Sequence, residues 1–369
     1  MNKLVLIGNG FDLAHGIKTS YKDFIYNYFR QIILNCIQTH SPFNKDHIEI
    51  NIKNIETIIA YSYRLPFSDG ISDDALMQIL SNEKVFRIGH EDFFNTFSCT
   101  IKNSLVNLAI QSITEVKWVD IEEIYYDQLL LGAETIGKSS SAKTINEHLS
   151  FIIIELEKYL LGLKTPRPNE EIVKHLAKPF AENNFKEKVD LRSCKWTLLL
   201  NFNYTQTLKP YREALSSIAP DTYAEIINIH GELNNKNNPI IFGFGDEMDE
   251  RYKILEKQKD NAFLDYMKSF GYFRTNNYRR LTRFLEQEHF QVEIMGHSCG
   301  LSDRVMLNMI FEHPNCKSIK VNYHRWADGY EGTNYKTLTQ NISRHFNKKT
   351  LMRDLVVDYD LSCELPQSS

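Results

Sequence analysis

Four short polar clusters contain residues that could bind a ligand and move a proton, and each follows an apolar run of strand character. The clusters are Gly8-Asn9-Gly10, Asn201-Phe202-Asn203-Tyr204, His230-Gly231-Glu232 and Gly296-His297-Ser298. A neutral histidine, with a usual pKa of about 6.5, can accept a proton near neutral pH. An asparagine amide both donates and accepts hydrogen bonds. These residue types therefore predict a polar ligand site.

The clusters are expected to lie together because each stands at the carboxyl end of a predicted strand. In an open α/β sheet the loops at those ends converge, and ligands bind outside them. This convergence is more specific than any one cluster, since each cluster has a plain structural alternative. Asn203 could cap a helix, and His230 could be hydrogen-bonded within a tight glycine turn. His297, with Ser298, could be an ordinary polar loop residue.

The first cluster lies in the segment around which the chain is organised, KLVLIGNGFDLAHG at residues 3–16. Residues 3–7 predict a buried strand, and the Ser20-x-x-Asp23 spacing predicts the start of a helix. A strand, a glycine loop ending at Gly16 and a helix could cradle a phosphate, because helix amino ends present free N–H groups. An ordinary tight turn is the alternative.

Two common nucleotide sites do not fit this segment. Gly16 follows Gly10 by six positions and not three. No second strand ends in an acidic residue about 20 residues past the glycines, so a dehydrogenase fingerprint is disfavoured. No Gly-Lys-Ser/Thr follows the glycines either, which excludes a P-loop.

Composition argues against several classes of protein. The 369 residues carry a formal net charge of −4 and no basic block, so no nucleic acid partner is expected. No stretch approaches the ~18 apolar residues of a membrane span, so we expect a cytoplasmic protein with no membrane partner. The six cysteines form no Cys-x-x-Cys pair, and we expect neither a structural metal nor a disulfide framework.

The order of apolar runs predicts an α/β fold with a mainly parallel sheet flanked by helices. Strands are predicted at residues 3–7, 196–200, 225–229, 291–295 and 318–323. Residues 91–163 have helical spacing of apolar side chains, which predicts a large all-helical insertion. Its stripes of Phe, Ile and Leu could be an internal core or a surface that forms a homo-oligomer.

These patterns predict four parts of the chain. Residues 1–37 form the first βα unit, and residues 38–189 form the helical insertion. Residues 190–360 supply the remainder of the sheet domain, and residues 361–369 form a tail.

The clusters resemble those of a known family. The segments IGNGFDLAHGIKTSY, NFNYT, IHGEL and GHS-x-x-x-x-D together resemble the AbiH family of bacteriophage abortive-infection proteins. They are also similar to a distant form of the sirtuin-like NAD-binding domain. The resemblance covers residues 1–30 and 190–345 and implies a sirtuin-like, Rossmann-related sheet.

The resemblance implies an NAD site and a set of residues that form it. Three glycines of the first segment match sirtuin glycines, and Gly296 with Ser298 matches the strand end on the adenosine side of NAD. Asn322 matches an asparagine on the adenine ribose. The implied NAD-binding residues are Gly8, Asn9, Gly10, Phe11, His15, Gly16, Tyr204, Gly231, Gly296, His297, Ser298 and Asn322.

The implied activity is hydrolysis of NAD to nicotinamide and ADP-ribose, because defence proteins with sirtuin-like domains commonly hydrolyse NAD. Asn203 and His230 match the asparagine and histidine of the sirtuin motifs. His230 would then be the general base, and Asn203 would hold water or the ribose hydroxyls. Asp12 would face the nicotinamide ribose or stabilise developing positive charge, and no metal would be needed.

Two departures from the sirtuin pattern narrow this expectation. The four-cysteine zinc module is missing, so protein deacylation is not expected. Thr205 stands where the sirtuin motif has aspartate, and Asp12 stands where many sirtuins have serine.

A binding module is the rival hypothesis. It would sense NAD, ADP-ribose or a signalling nucleotide and would act with a partner, and a phage-derived trigger is compatible with either hypothesis. A dehydrogenase is a third hypothesis, which the glycine spacing disfavours.

Overall fold

A computed structural model describes residues 1–45, 47–62, 71–81, 96–111, 113, 118–135, 139–186 and 194–368. The chain forms two compact units. The first unit is Met1–Thr19 with Leu160–Ser369, and the second is Ser20–Tyr159. The long helix that follows Ser20 therefore lies in the second unit. The predicted boundaries, with a first βα unit at residues 1–37, placed this helix in the sheet domain.

The described residues contain nine strands and fifteen α-helices. The strands are β1 Asn2–Ile7, β2 Phe43–Lys45, β3 Ile48–Ile52, β4 Phe97–Ile101, β5 Trp196–Asn201, β6 Tyr223–Asn228, β7 Phe290–Met295, β8 Cys316–Tyr323 and β9 Cys363–Glu364. The helices are α1 Asn9–Ala14, α2 Tyr21–Thr39, α3 Ile55–Ser62, α4 Asp73–Ser81, α5 Ser104–Gln111, α6 Trp118–Thr135, α7 Ser139–Leu161, α8 Glu170–Ala177, α9 Lys209–Ile218, α10 Tyr252–Glu256, α11 Lys268–Tyr272, α12 Asn277–Gln287, α13 Arg304–Phe311, α14 Tyr335–His345 and α15 Lys349–Leu355. None of these described helices combines the length and apolar character that crossing a membrane requires.

The first unit is built on a six-stranded parallel sheet with the order β6-β5-β1-β7-β8-β9. Alternate residues of β1 face opposite cores, as the pleat of a strand requires. Leu4 and Leu6 pack with α12, α13 and α14, whereas Val5 and Ile7 pack with α8 and α9. Burial on both faces explains the unbroken apolar runs of the central strands. The predicted α/β class and mainly parallel sheet are confirmed.

The register of the sheet brings the predicted clusters to one edge. Ile7 at the end of β1 pairs with Asn201 of β5 on one side and with Met295 of β7 on the other. Asn201 in turn pairs with Asn228 at the end of β6. The polar residues that follow these four strands therefore begin at the same level of the sheet.

The chain after Asp360 differs from the predicted tail. Cys363–Glu364 forms β9, which pairs in parallel with β8 at Asn322 and Tyr323. Leu365 is 3% exposed, and its N–H donates to the Tyr323 carbonyl at 2.8 Å. A two-residue strand is too short to show the alternation by which strands are recognised in a sequence.

The second unit is not all-helical as predicted, because it contains the antiparallel sheet β2-β3-β4. Strand β4 falls within the first of the helical stripes predicted over residues 91–163, and the first residues of that range, 91–95, lie outside the described residues. Phe97 and Ile101 are four positions apart, and that spacing suits one face of a helix and one face of a strand equally. The buried Cys99 between them follows the two-residue period of a strand.

Two helices follow β1, and only the second of them was predicted. Ser20 caps α2 as expected, because its side chain accepts from the Asp23 N–H at 3.1 Å and the Asp23 carboxylate accepts from the Ser20 N–H at 3.2 Å. The predicted glycine loop is instead largely helical, since α1 begins at Asn9, with Gly8 as its cap.

The glycines of this region allow the segments after β1 and β7 to approach each other closely. The Gly10 N–H donates to the Gly296 carbonyl at 2.8 Å. A Cβ added to Gly296 would lie 2.1 Å from the Phe11 nitrogen, and Gly296 has a φ of +71°. Gly296 is therefore required both by its backbone conformation and by the backbone beside it.

Substitution of Gly296 tests this close backbone contact. Gly296→Ala should lower the free energy of unfolding by about 3 kcal/mol or more, since it adds a backbone clash to the strain of a positive φ. Gly16→Ala is the matched control, because Gly16 has a φ of +72° and no atom within 4 Å of its added Cβ. It should lose only about 1–2 kcal/mol. Equal losses of stability in the two variants, measured by urea unfolding, would contradict the close backbone contact at Gly296.

Candidate functional site

One group of polar side chains surrounds the start of α1. The Asn203 Nδ2 donates to the Gly8 carbonyl at 3.0 Å, and the Asn203 N–H donates to the Asn201 Oδ1 at 3.1 Å. The Thr205 hydroxyl donates to the Asp12 Oδ2 at 2.6 Å. The loop after β5 is thereby fastened to the segment after β1, and Asn203 and Asp12 belong to one hydrogen-bonded assembly.

Asp12 is the titratable member of this group. It is 1% exposed, and burial raises the pKa of its carboxyl to about 6, against the opposing effect of hydrogen bonds from Thr205 and Thr207. Its Oδ1 atom has no hydrogen-bond partner within the described residues. A buried carboxyl that titrates near neutral pH is a candidate for acid–base chemistry.

A second group surrounds Asp303, and we refer to it as the Asp303 cluster. The Asp303 Oδ1 lies 3.0 Å from the His230 Nε2 and 2.9 Å from the Lys268 Nζ. The Asp303 Oδ2 lies 3.7 Å from the His297 Nε2. All four residues are buried, with Lys268 only 1% exposed. Burial opposes ionisation of Asp303, but Lys268 and the histidines outweigh it and hold the pKa well below its usual range.

Elements distant in the sequence position these four side chains. Asp303 ends the 3-10 turn Leu301–Asp303 after β7, and Lys268 is the first residue of α11. The Lys268 N–H donates to the Phe244 carbonyl at 2.8 Å, which fixes the start of α11. The His230 carbonyl accepts from the Ile241 N–H at 2.8 Å, which fixes the loop after β6.

The hydrogen bonds indicate which ring nitrogens carry protons. The His297 Nδ1 accepts from the Cys299 N–H at 3.0 Å, and burial lowers the pKa of His297 to about 4. His297 is therefore neutral near pH 7, with its proton on Nε2. The His230 Nε2 faces the Asp303 carboxylate and the Tyr272 hydroxyl, the latter at 3.2 Å. In the neutral ring, donation from Nε2 to Asp303 would place the lone pair on Nδ1, as in other histidine–carboxylate pairs.

Phe202 connects the two groups. It follows Asn201 directly, and its ring centroid lies 5.1 Å from the His230 ring and 4.2 Å from the His297 ring. The same short loop thus supplies Asn203 to the first group and an aromatic wall to the Asp303 cluster.

A cavity of about 680 Å³ reaches the Asp303 cluster. Asp303 of the cluster forms part of the cavity wall, and so does Tyr272, whose hydroxyl lies 3.2 Å from the His230 Nε2. Phe273, Tyr278 and Arg279 form further parts of the wall. The volume lies within the range of small-molecule sites, about 300–1,000 Å³. This space is therefore large enough for a nucleotide-sized ligand next to the Asp303 carboxylate, which pairs with His230.

The predicted phosphate cradle is occupied by internal hydrogen bonds. The Gly8 N–H donates to the Met295 carbonyl, the Gly10 N–H to the Gly296 carbonyl, and the Phe11 N–H to the Gly8 carbonyl. A phosphate would have to displace these bonds. In this structure the glycines serve the close contact of two strand ends, and Asn9 is the first residue of α1.

His15 is held within the packing of α1. Its Nδ1 lies 2.7 Å from the Phe11 carbonyl, and its Nε2 lies 2.7 Å from the Tyr211 hydroxyl. Burial lowers its pKa. Gly16 follows this helix and has a positive φ.

Other residues assigned to the NAD site also make internal contacts. The Tyr204 hydroxyl donates to the Ile241 carbonyl at 3.3 Å, and the Ser298 carbonyl accepts from the Asn341 amide at 2.8 Å. The Asn322 Nδ2 donates to the Ile294 carbonyl at 3.3 Å. Gly231 has a φ of +89° and lies against the Pro239 carbonyl.

Asp303, Lys268 and Tyr272 were not among the predicted site residues. Asp303 is the last residue of the GHS-x-x-x-x-D segment, and its place in that segment is the sequence signal that points to it. Lys268 and Tyr272 belong to a stretch without a recognised motif. Only the tertiary fold brings them to the histidines.

Comparison with known proteins gives one finding on family. A family model described as bacteriophage abortive infection AbiH matches residues 4–324. No curated protein matches the chain. The matched residues include all four polar clusters and both groups of the candidate site.

Asp12→Asn tests the buried carboxyl by its pH dependence. The folded pKa of about 6 exceeds the unfolded value of 3.8, so ionisation destabilises the fold as pH rises from 3.8 through 6. The amide variant should therefore be more stable than the wild type at pH 8, by about 3 kcal/mol, and equally stable at pH 4. Unfolding midpoints at the two pH values measure this difference.

The control is Asp221→Asn, because Asp221 is exposed. It should leave stability unchanged at both pH values. A loss of stability in Asp12→Asn that is the same at pH 4 and pH 8 would contradict the raised pKa.

Proposed function

The chain belongs to the AbiH family of bacteriophage abortive infection proteins, and from that premise we propose that it acts by hydrolysing NAD to nicotinamide and ADP-ribose. Family membership itself indicates a role in defence against phage. The proposed substrate comes from the sirtuin-like pattern of the sequence clusters. The proposed reaction site is the carboxyl edge of the parallel sheet, where ligands of open α/β sheets bind.

The His230–Asp303 pair beside the cavity is the observation that carries the proposal. The carboxylate orients the histidine, with 3.0 Å between the Asp303 Oδ1 and the His230 Nε2, and it also forms part of the cavity wall. A buried histidine fixed by a carboxylate next to a nucleotide-sized space is suited to general base catalysis.

The proposed reaction breaks the bond between the nicotinamide nitrogen and the ribose carbon. The electron pair of that bond stays with nicotinamide and cancels its positive charge, and the ribose becomes oxocarbenium-like, as in glycoside cleavage. Water then forms a bond to the ribose carbon and gives its proton to the His230 Nδ1. Asp303 stabilises the imidazolium that results, and the proton returns to solvent.

Asn203 and Asp12 are assigned supporting roles in this proposal. The Asn203 Nδ2 is bonded to the Gly8 carbonyl, so its Oδ1 is the atom that would accept a hydrogen bond from water or a ribose hydroxyl. Asp12 in its ionised form would stabilise positive charge on the ribose. Its pKa of about 6 makes this form the major one at neutral pH.

A nucleotide-sensing module is the second candidate, and it would bind its ligand in the cavity beside Asp303. The Asn203 Nδ2 is already bonded to the Gly8 carbonyl, which favours a site that holds a nucleotide without cleaving it. A site in this state could bind a nucleotide without cutting it, and a partner would carry out the toxic step.

Nicotinamide release from NAD tests the enzymatic proposal. Purified full-length protein, with and without lysate from phage-infected cells, is incubated with NAD, and products are separated by chromatography. His230→Gln and Asn203→Ala should each lower turnover by about 10²-fold or more, because each removes a group that acts on water or the ribose.

His289→Gln is the matched control, because His289 is exposed at the amino end of β7. It should retain full turnover, and unfolding curves should show that all variants are folded. Full turnover in His230→Gln would remove His230 from the mechanism. Calorimetric binding of NAD that stays intact with the lysate present would establish the sensor instead.

A further inference from the structure

A second set of ionisable side chains lies on the first unit, around His175 of α8. The His175 Nε2 lies 3.0 Å from the Glu293 Oε2 of β7, and the His175 Nδ1 lies 3.9 Å from the Cys363 Sγ of β9. The Lys3 Nζ of β1 lies 3.4 Å from the Glu293 Oε1. A thiol, an imidazole and a carboxylate thus stand in line, which is the order of nucleophile, base and orienting group.

The charges in this line are set by its burial and pairing. Burial opposes ionisation of Glu293, but Lys3, His175 and Lys320 outweigh it and lower its pKa to about 2. Burial also opposes the charge on His175, but its bonds to Cys363 and Glu293 raise its pKa to about 9. The line therefore presents an imidazolium to the Cys363 sulfur at neutral pH.

Cys363 differs from the other cysteines in its surroundings. Cys36, Cys99, Cys299 and Cys316 are buried, whereas Cys363 and Cys194 are partly exposed. The Cys194 Sγ contacts the Thr197 hydroxyl and the Trp196 carbonyl. The Cys363 Sγ contacts His175 and donates to the Asn322 Oδ1 at 3.0 Å. Of the two accessible thiols, Cys363 is the one beside a cationic partner.

We propose that Cys363 is a reactive thiol, assisted by His175, that is modified by small electrophiles of the peroxide class. The sulfur attacks one peroxide oxygen, so an S–O bond forms while the O–O bond breaks. His175 gives a proton to the departing oxygen, which leaves as water, and the thiol proton returns to His175. The sulfur is oxidised by two electrons to a sulfenic acid, and the peroxide is reduced.

Oxidation of Cys363 would affect the contact between β8 and β9 at one edge of the sheet. Asn322 and Cys363 form one of the two residue pairs through which β9 joins β8. Oxidation inserts an oxygen atom between the sulfur and the hydrogen that Asn322 accepts, so the present side-chain bond from the Cys363 Sγ to the Asn322 Oδ1 at 3.0 Å must rearrange.

Labelling rates of individual cysteines test the proposal. The native full-length protein is treated with N-ethylmaleimide at pH 7 for a series of times, digested, and analysed by mass spectrometry. Cys363 should react about tenfold faster than Cys194, since a nearby cation favours the reactive thiolate. In urea the two rates should become equal. A Cys363 rate equal to or below that of Cys194 in the native protein would overturn the proposal without any variant.

Two variants separate the effect of His175 from general effects of charge. His175→Gln should lower the Cys363 rate about tenfold and leave the Cys194 rate unchanged, which also reports that the fold is intact. Lys174→Gln is the matched control, because it removes a neighbouring positive charge that pairs with Glu171 on the exposed side of α8. It should leave both rates unchanged. An unaltered Cys363 rate in His175→Gln would show that His175 does not assist the thiol.

Hydrogen peroxide followed by dimedone tests the oxidative step itself. Dimedone adducts should form on Cys363 in the wild type and decrease in His175→Gln. Adducts that form equally on Cys194 would contradict a selective site.

Discussion

Burial of the Asp303 carboxylate is the constraint on which the candidate site depends. An ionised carboxylate removed from water is costly by several kcal/mol unless it is paired and hydrogen-bonded. Lys268, His230 and His297 meet that requirement, and each comes from a different part of the chain. The loops after β6 and β7 and the start of α11 must therefore assemble together. The same pairing that stabilises the charge also fixes the orientation of the histidines.

The parallel sheet brings these loops together at the carboxyl ends of its strands. Because β1, β5, β6 and β7 end in register, the residues after them meet without long connecting loops. Gly296 permits a close backbone contact between the segments that follow β1 and β7. One region then contains a carboxyl that titrates near neutral pH, Asp12, and a carboxylate that remains charged, Asp303. Two carboxyl groups with opposite shifts of pKa are a common basis for acid–base assignment.

Much of the sheet could be predicted from the sequence, because buried parallel strands have unbroken apolar runs and end at polar residues. The start of α2 was predictable for a local reason, the capping box of Ser20 and Asp23. Strand β4 was not, because a spacing of four residues fits a helix and a strand alike. The role of Lys268 was also beyond prediction, since its partner Asp303 lies 35 residues away in the sequence. The N–H groups of Gly8 and Gly10 were predicted to bind phosphate. They donate instead to the carbonyls of Met295 and Gly296 at the end of β7, and these acceptors come close only in the folded chain.

The products formed from NAD in water labelled with oxygen-18 show whether the protein hydrolyses the dinucleotide. The protein is incubated with NAD and lysate from phage-infected cells, and the products are analysed by mass spectrometry. We expect equal amounts of nicotinamide and ADP-ribose, with one oxygen-18 atom in the ADP-ribose. NAD that remains intact under these conditions, or ADP-ribose that lacks the label, would contradict it.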